Sequence, residues 1–451
     1  MIRLAFAAAA LIAGQGAGAR EPMGLHSALQ QLTRDGKFSG AIVVRNANGV
    51  AFAHGFGLAD PFTGRVFTPD TPIDSASLAK PVTAAAVLLL AHEAKLDLDA
   101  PVRRYIAEYP HAQTIVRHLL AHSAGLPGES VLDPLAGKTN EALVREISSR
   151  RLAPIFAPGT GFSYCNLCYS TLALLIERVS GVTYQQFVQN RVALPPGVTI
   201  RPLRLAGWPD RAIGYRRTAD GKIERADSYE GEAFYGAANL SISAAQLASW
   251  GAEWWKPRLA GIRDMATTRA KIGGKPSGLT WGNWYCAAGR RRCHYLGHHE
   301  GFHHMLYWDR DRRISIAMVS NNTPAPNLQQ RLQRALVGFA EGRSASARRE
   351  LRSEIPPIDA AAGLYRLPIG ETVSMRVEGR QMAIVREGLS YPAYLFGSGI
   401  RYVPGLDLYL SADIGGCLRM LGLYEDTRAC PISRDAPRRT GREMAALGSR
   451  G

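Results

Sequence analysis

Long apolar stretches are scarce in this chain, and the scarcity excludes several classes of protein at once. Beyond the N-terminus the longest such run is Val82 to Ala94. It is too short to cross a bilayer and is broken by His92 and Glu93, so it reads as a core helix. Lysine is also sparse, at eight residues, so the net charge of +16 is carried almost wholly by arginine. The arginines are spread along the chain. No basic patch is interleaved with aromatics and no nucleic-acid motif occurs, which excludes a nucleic-acid partner. The runs Arg290-Arg291-Arg292 and Arg348-Arg349 read as solvated loops. The charge favours only loose attraction to anionic surfaces. Composition excludes disorder except at the ends, with 46% hydrophobic and 20% charged residues.

What is present begins with an export signal. Arg3 is followed by an apolar run from Leu4 to Ala13, and Ala17-Gly18-Ala19 offers a small-residue cleavage site. Residues 1–19 are therefore expected to be a signal peptide, with a periplasmic or secreted mature chain starting near Arg20. No Cys follows the apolar run, so no lipid anchor is expected. Export places Cys165, Cys168, Cys286, Cys293, Cys417 and Cys430 in an oxidising space. Cys286 with Cys293, and Cys417 with Cys430, lie close enough to staple hairpins, although six cysteines allow fifteen pairings.

At 451 residues, two folded units are expected. Residues 38–58 read as a hairpin about Asn48-Gly49. Helices are expected from about Ser77 to Lys95, within 112–125, over 167–180 with Gly181 as terminator, over 244–254 and over 327–341. Strand-like runs occur at 280–287, 293–297, 302–308 and 313–320, with Asp309 to Arg312 as a hairpin tip. Strands at both ends and helices between them imply one sheet built from both ends of the segment, with a helical insertion. Residues 342–358 read as a linker, 359–436 as a small all-β domain, and 437–451 as a frayed tail.

Three short motifs carry chemistry. Ser77-Leu78-Ala79-Lys80 places a hydroxyl and an amine three residues apart, on one helix face. A serine is a poor nucleophile until a neighbour takes its proton, and a lysine does so only when burial or a nearby cation favours its neutral form. The apolar helix that follows offers such burial, and its N-terminus offers free N–H groups for an oxyanion. Alone, the tetrapeptide also fits an accidental match on a surface helix. Tyr164-Cys165-Asn166 is the only Tyr-x-Asn in the chain. Its phenol can shuttle a proton and its amide can hold a lysine or a substrate carbonyl. A buried tyrosine with a turn-capping Asn is the alternative. His299-Glu300-Gly301 is the only His-x-Gly. Its rival, Lys271-Ile272-Gly273, lies in a less strand-like context.

In this order the motifs resemble the penicillin-recognising serine hydrolases: class C β-lactamases, DD-peptidases, D-aminopeptidases and related esterases. The flanking segments Asp74 to Thr83, Leu96 to Val102, His118 to Pro127, Pro158-Gly159-Thr160 and Val319 to Asn322 extend the resemblance over roughly residues 38–340. It implies an α+β, β-lactamase-like fold over 20–341, with an antiparallel sheet flanked by helices and a helical subdomain. It also implies an appended small β-barrel-like, lipocalin-like domain. The implied chemistry needs no cofactor and runs through an acyl-enzyme. Ser77 would be the nucleophile, with Lys80 and Tyr164 handling the proton. The N–H groups of Ser77 and Phe302 would form the oxyanion hole, and Asn166, His299, Glu300 and Gly301 would bind substrate. The substrate would be a small molecule or a peptidoglycan fragment.

The chain departs from the family at Glu300, which stands where β-lactamases usually have Thr. A glutamate there repels a carboxylate, so an ester or a substrate with a free amine is expected over a β-lactam. A β-lactamase or DD-carboxypeptidase is the alternative within the family, and a non-catalytic envelope-binding protein the alternative outside it. Cys165 and Cys168 straddle Asn166, where a bridge would rigidify the turn; a redox pair is the rival reading. His294, His298, His299, His303 and His304 with Cys293 suggest zinc only superficially. Strand alternation sends neighbours to opposite faces, and no ligand spacing appears, so no metal is expected.

Overall fold

The computed structural model describes residues 23–432, except 129–131, 133–137, 193, 201–209, 218–221, 227–233, 288, 290, 300, 323–325, 344–362 and seven short stretches between 368 and 425. The expected signal peptide, Glu300, nearly all of the expected linker and the tail lie outside the described residues.

One antiparallel sheet of eight strands organises the first unit. Its order is Arg269–Ile272, Lys275–Thr280, Tyr285–Ala287, Arg292–His299, Phe302–Asp309, Ile314–Ser320, Gly40–Asn46 and Gly49–Phe56. The N-terminal hairpin docks on the last strand, with Gly40 opposite Ser320 and Arg45 opposite Ser315. The sheet is thus built from both ends of the segment, as the order of elements implies. Every residue of Phe302–Asp309 and Ile314–Ser320 is buried. The reason is a layer on each face. Ile42, Val44, Met305, Ile316 and Met318 pack with the N- and C-terminal helices Met23–Arg34 and Pro326–Ala340. Ala41, Val43, Leu306, Ala317 and Val319 face the inserted helices. Strands buried on both faces read as continuous apolar runs rather than as alternation.

Two strand assignments need correction. The 280–287 run is two strands, Lys275–Thr280 and Tyr285–Ala287, because Trp281 to Trp284 form a turn in which Asn283 has φ +59°. Arg269–Ile272 is a strand although its context looks unfavourable. It alternates exposed and buried residues and pairs back through Gly273-Gly274, as an edge strand does.

All six cysteines are paired: Cys165–Cys168, Cys286–Cys293 and Cys417–Cys430. Cys286 and Cys293 are direct cross-strand partners. Cys293 therefore offers no thiolate to a metal, and no group of three or more His, Cys, Asp or Glu among the described residues is arranged to hold one.

Residues 363–431 form a closed antiparallel barrel of eight strands. The first strand, Gly363–Arg366, pairs with the last, Asp426–Pro431, so among the described residues no strand edge is left open. Val373, Ile384, Val403, Leu410 and Met420 are buried. The barrel meets the first unit at Tyr391, whose ring lies 5.4 Å from that of Phe162.

Candidate functional site

The segment that carries Ser77 starts as a short strand, Ile73–Asp74, paired with Leu240–Ile242. A single turn, Ala76–Leu78, then leads into the helix Ala79–His92. That helix is buried nearly all round, which places it in the core. Pro81 sits in its first turn, where a missing N–H costs nothing. Ala76 has φ +46°, a conformation that costs a non-glycine residue about 1–2 kcal/mol. The Asp74 carboxylate offsets this by accepting the Ala76 N–H at 3.0 Å. The result lifts Ser77 to a half-buried position while Lys80, one turn on, is fully buried. Lys80 Nζ donates to Ser77 Oγ at 3.0 Å and to the Ala237 carbonyl at 3.1 Å.

Tyr164 arrives from the extended segment before the helix Asn166–Ser180 and donates its phenolic proton to Ser77 Oγ at 2.8 Å. The amine and the phenol predicted to act with the Ser77 hydroxyl therefore each lie within hydrogen-bonding reach of it. The bridge between Cys165 and Cys168 closes the first turn of that helix around Asn166. His122 stacks on the Tyr164 ring at 4.6 Å. Its Nδ1 accepts the Cys165 N–H, so Nε2 carries the proton and donates to Asn283 Oδ1. Burial, aided by the charge of Lys80, pushes the His122 pKa down to about 3. The imidazole is a neutral platform at any physiological pH.

The third motif lies at the end of the strand Arg292–His299. His299 Nε2 donates to Asp74 Oδ2 at 2.7 Å. Asp74 is fully buried. Burial alone would raise its carboxyl, but His299, Arg211 and the Ala76 N–H together hold it below the ordinary carboxylate range. Its backbone carbonyl also accepts from His304 Nε2 at 2.8 Å. Asp74 thus ties the Ser77 turn to the third-motif hairpin. Gly301 takes φ +77° at the hairpin tip, and a Cβ there would lie 2.7 Å from Gly214 Cα. Phe302 is fully buried opposite His299, their rings 5.0 Å apart.

A cavity of about 70 Å³ opens beside Ser77. Asn166, His298 and His299 form its polar wall, and Phe234, Ala237 and Ala238 its apolar wall. The site therefore joins Ser77, Lys80, Tyr164, Asn166 and His299. Phe302 is not part of the cavity wall. Asp74, His122, His298, Phe234, Ala237 and Tyr295 escape motif reading as individual participants. For Asp74 and His122 the flanking segments were the available signal, and for His298 the histidine cluster; for Phe234, Ala237 and Tyr295 no motif pointed to them.

The Beta-lactamase family profile matches residues 25–339. Among curated relatives, Penicillin-binding protein 4* of Bacillus subtilis is 28% identical over 179 residues, covering 39% of this chain and 40% of that protein. Esterase EstB of Burkholderia gladioli is 33% identical over 195 residues, covering 39% and 49%. A D-aminopeptidase of Brucella anthropi is 28% identical over 202 residues, covering 44% and 36%. Each match spans less than half of the relative. Among solved structures, the octameric penicillin-binding protein homologue from Pyrococcus abyssi superposes with TM-score 0.60 at 19% identity, over 90% of this chain and 98% of that one. The D-amino acid amidase from Ochrobactrum anthropi gives 0.57 at 18% identity, over 73% and 99%.

Proposed function

The chain belongs to the Beta-lactamase family, and from that premise we propose that it is an exported serine hydrolase cleaving an ester or a D-amino-acid amide through an acyl-enzyme on Ser77. The observation that carries this is the convergence of Lys80 Nζ and Tyr164 OH on Ser77 Oγ, at 3.0 and 2.8 Å, beside an open cavity. Ser77 Oγ attacks the carbonyl carbon. Tyr164 gives its proton to the leaving group and recovers one from Ser77 by way of Lys80. The oxyanion is met by the backbone N–H of Ser77 and, on the family pattern, that of Phe302. Asn166 and His299 orient the acyl part, and water then releases the acid.

Three considerations favour an ester or amide over a β-lactam. The sequence puts Glu300 in the third motif, where an acidic residue disfavours a substrate carboxylate. The apolar wall of Phe234, Ala237 and Ala238 suits a small uncharged acyl group. An esterase and D-aminopeptidases are among the relatives. Labelling with a fluorophosphonate is expected in the wild type and absent in Ser77→Ala. Hydrolysis of p-nitrophenyl acetate and of a D-amino-acid amide should exceed that of a chromogenic cephalosporin; efficient cephalosporin turnover reverses the substrate assignment. Export rests on the pattern of residues 1–19 and agrees with three disulfides. It predicts a mature N-terminus near Arg20 in the exported fraction, and retention of the full chain inside the cell would refute it.

A further inference from the structure

The strand Arg292–His299 presents Tyr295, Gly297 and His299 on one face, since successive side chains alternate. A Cβ on Gly297 would lie 2.5 Å from the Ser75 carbonyl, so this strand runs directly against the nucleophile turn. His299 reaches Asp74 from it. Tyr295, four residues earlier, places its hydroxyl 3.4 Å from that of Tyr164. The phenol of Tyr164 has a single proton, and that proton points at Ser77 Oγ. In this arrangement Tyr295 is the donor of the pair. Its ring is 2% exposed and stacks on Tyr285 at 5.9 Å, which fixes its direction. Burial, together with the neighbouring phenols Tyr164 and Tyr285, raises its own ionisation well above the ordinary range, so it keeps its proton.

We propose that Tyr295 is a positioning residue for the proton transfer: it donates to the Tyr164 oxygen and stabilises the negative charge that builds there as Tyr164 protonates the leaving group. This rests on the acyl-enzyme reading above. In that step the Ser77 Oγ–carbonyl bond forms and the bond to the leaving group breaks. One net proton moves from Ser77 to the departing oxygen or nitrogen. The Tyr295 contact is weak in the resting enzyme, as its length indicates. It strengthens only while Tyr164 is short of a proton, so it acts on the transition state rather than on substrate binding.

Leaving-group dependence separates this role from packing. p-Nitrophenolate departs without a proton, whereas an alkoxide or amine does not. For Tyr295→Phe, kcat/KM is measured against p-nitrophenyl, phenyl and ethyl esters of one acyl group. The loss is expected to grow along that series, to at least about 10-fold more for the ethyl than for the p-nitrophenyl ester, equivalent to ~1.4 kcal/mol. Equal losses across the series, or none, overturn the proposal, because a disturbed fold slows all three alike. Thermal melting and fluorophosphonate labelling of the same variant check that the site is intact. If Ser77→Ala keeps its activity, the acyl-enzyme reading itself fails. If Ser77→Ala is dead and Tyr295→Phe shows a flat series, only the role of Tyr295 fails.

Discussion

The turn that carries Ser77 and the hairpin that carries His299 face one cavity, yet they are built by different constraints. The turn is local: strand, left-handed Ala76, one turn and a buried helix follow within twenty residues. The hairpin is positioned by distant partners: Gly297 against Ser75, His299 against Asp74, and Tyr295 against Tyr164. A local device sets its own geometry. A long-range one takes its geometry from the rest of the fold, and Asp74 is the residue where the two are joined.

The largest expected effect comes from breaking that joint. Asp74→Asn leaves His299 Nε2–H without its anionic acceptor and weakens the hold on Ala76. Removing one partner of a buried pair costs about 3–5 kcal/mol, to be read from urea melts. Labelling of Ser77 should fall with it. His299→Gln retains an amide N–H for Asp74 but removes the imidazole from the cavity wall, so it should lower kcat/KM while Ser77 is still labelled at a near-normal rate. If both variants label normally, the turn does not depend on Asp74 and the comparison is wrong.

A smaller effect per pH unit appears on acidification, and buried histidines on both sides contribute to it. His122 backs Tyr164 on the side of the nucleophile, and His304 lies in the second strand of the hairpin. Burial, chiefly, lowers both to about 3. The ordinary histidine value is near 6.5, so the unfolded chain takes up protons that the folded one refuses. Their contribution to stability is complete above pH 6.5 and is lost as pH falls toward 3. With both groups acting, the slope approaches ~2.7 kcal/mol per pH unit near pH 5. Urea melts at pH 7 and pH 5 measure it, and His122→Asn or His304→Asn should each remove about one proton from the slope. An unchanged slope in either variant would show that the group is not held neutral.

The same contrast explains what could be read from the sequence. Ser77 and Lys80 are visible because three residues on a helix are neighbours in space. The core strands are visible because burial on both faces leaves unbroken apolar runs. Arg269–Ile272 is hidden because four alternating residues with two charges are too short a pattern to stand out. Asp74 and Tyr295 are hidden for another reason: their partners lie 225 and 131 residues away, and no spacing encodes such contacts. The third motif can be found only through the order of all three, and its working contacts only in three dimensions. In the appended unit the alternating strands are legible, but their closure depends on the pairing of Tyr365 with Pro431, which no local pattern announces.

The ring of Tyr391 rests on Phe162, Phe162 lies 5.9 Å from His122, and His122 lies flat on Tyr164. Four aromatic rings in series lead from the appendage to the phenol of Tyr164. Shearing off the C-terminal piece would remove only the outermost ring and uncover Phe162, while His122 stays stacked on Tyr164 and held by Cys165 and Asn283.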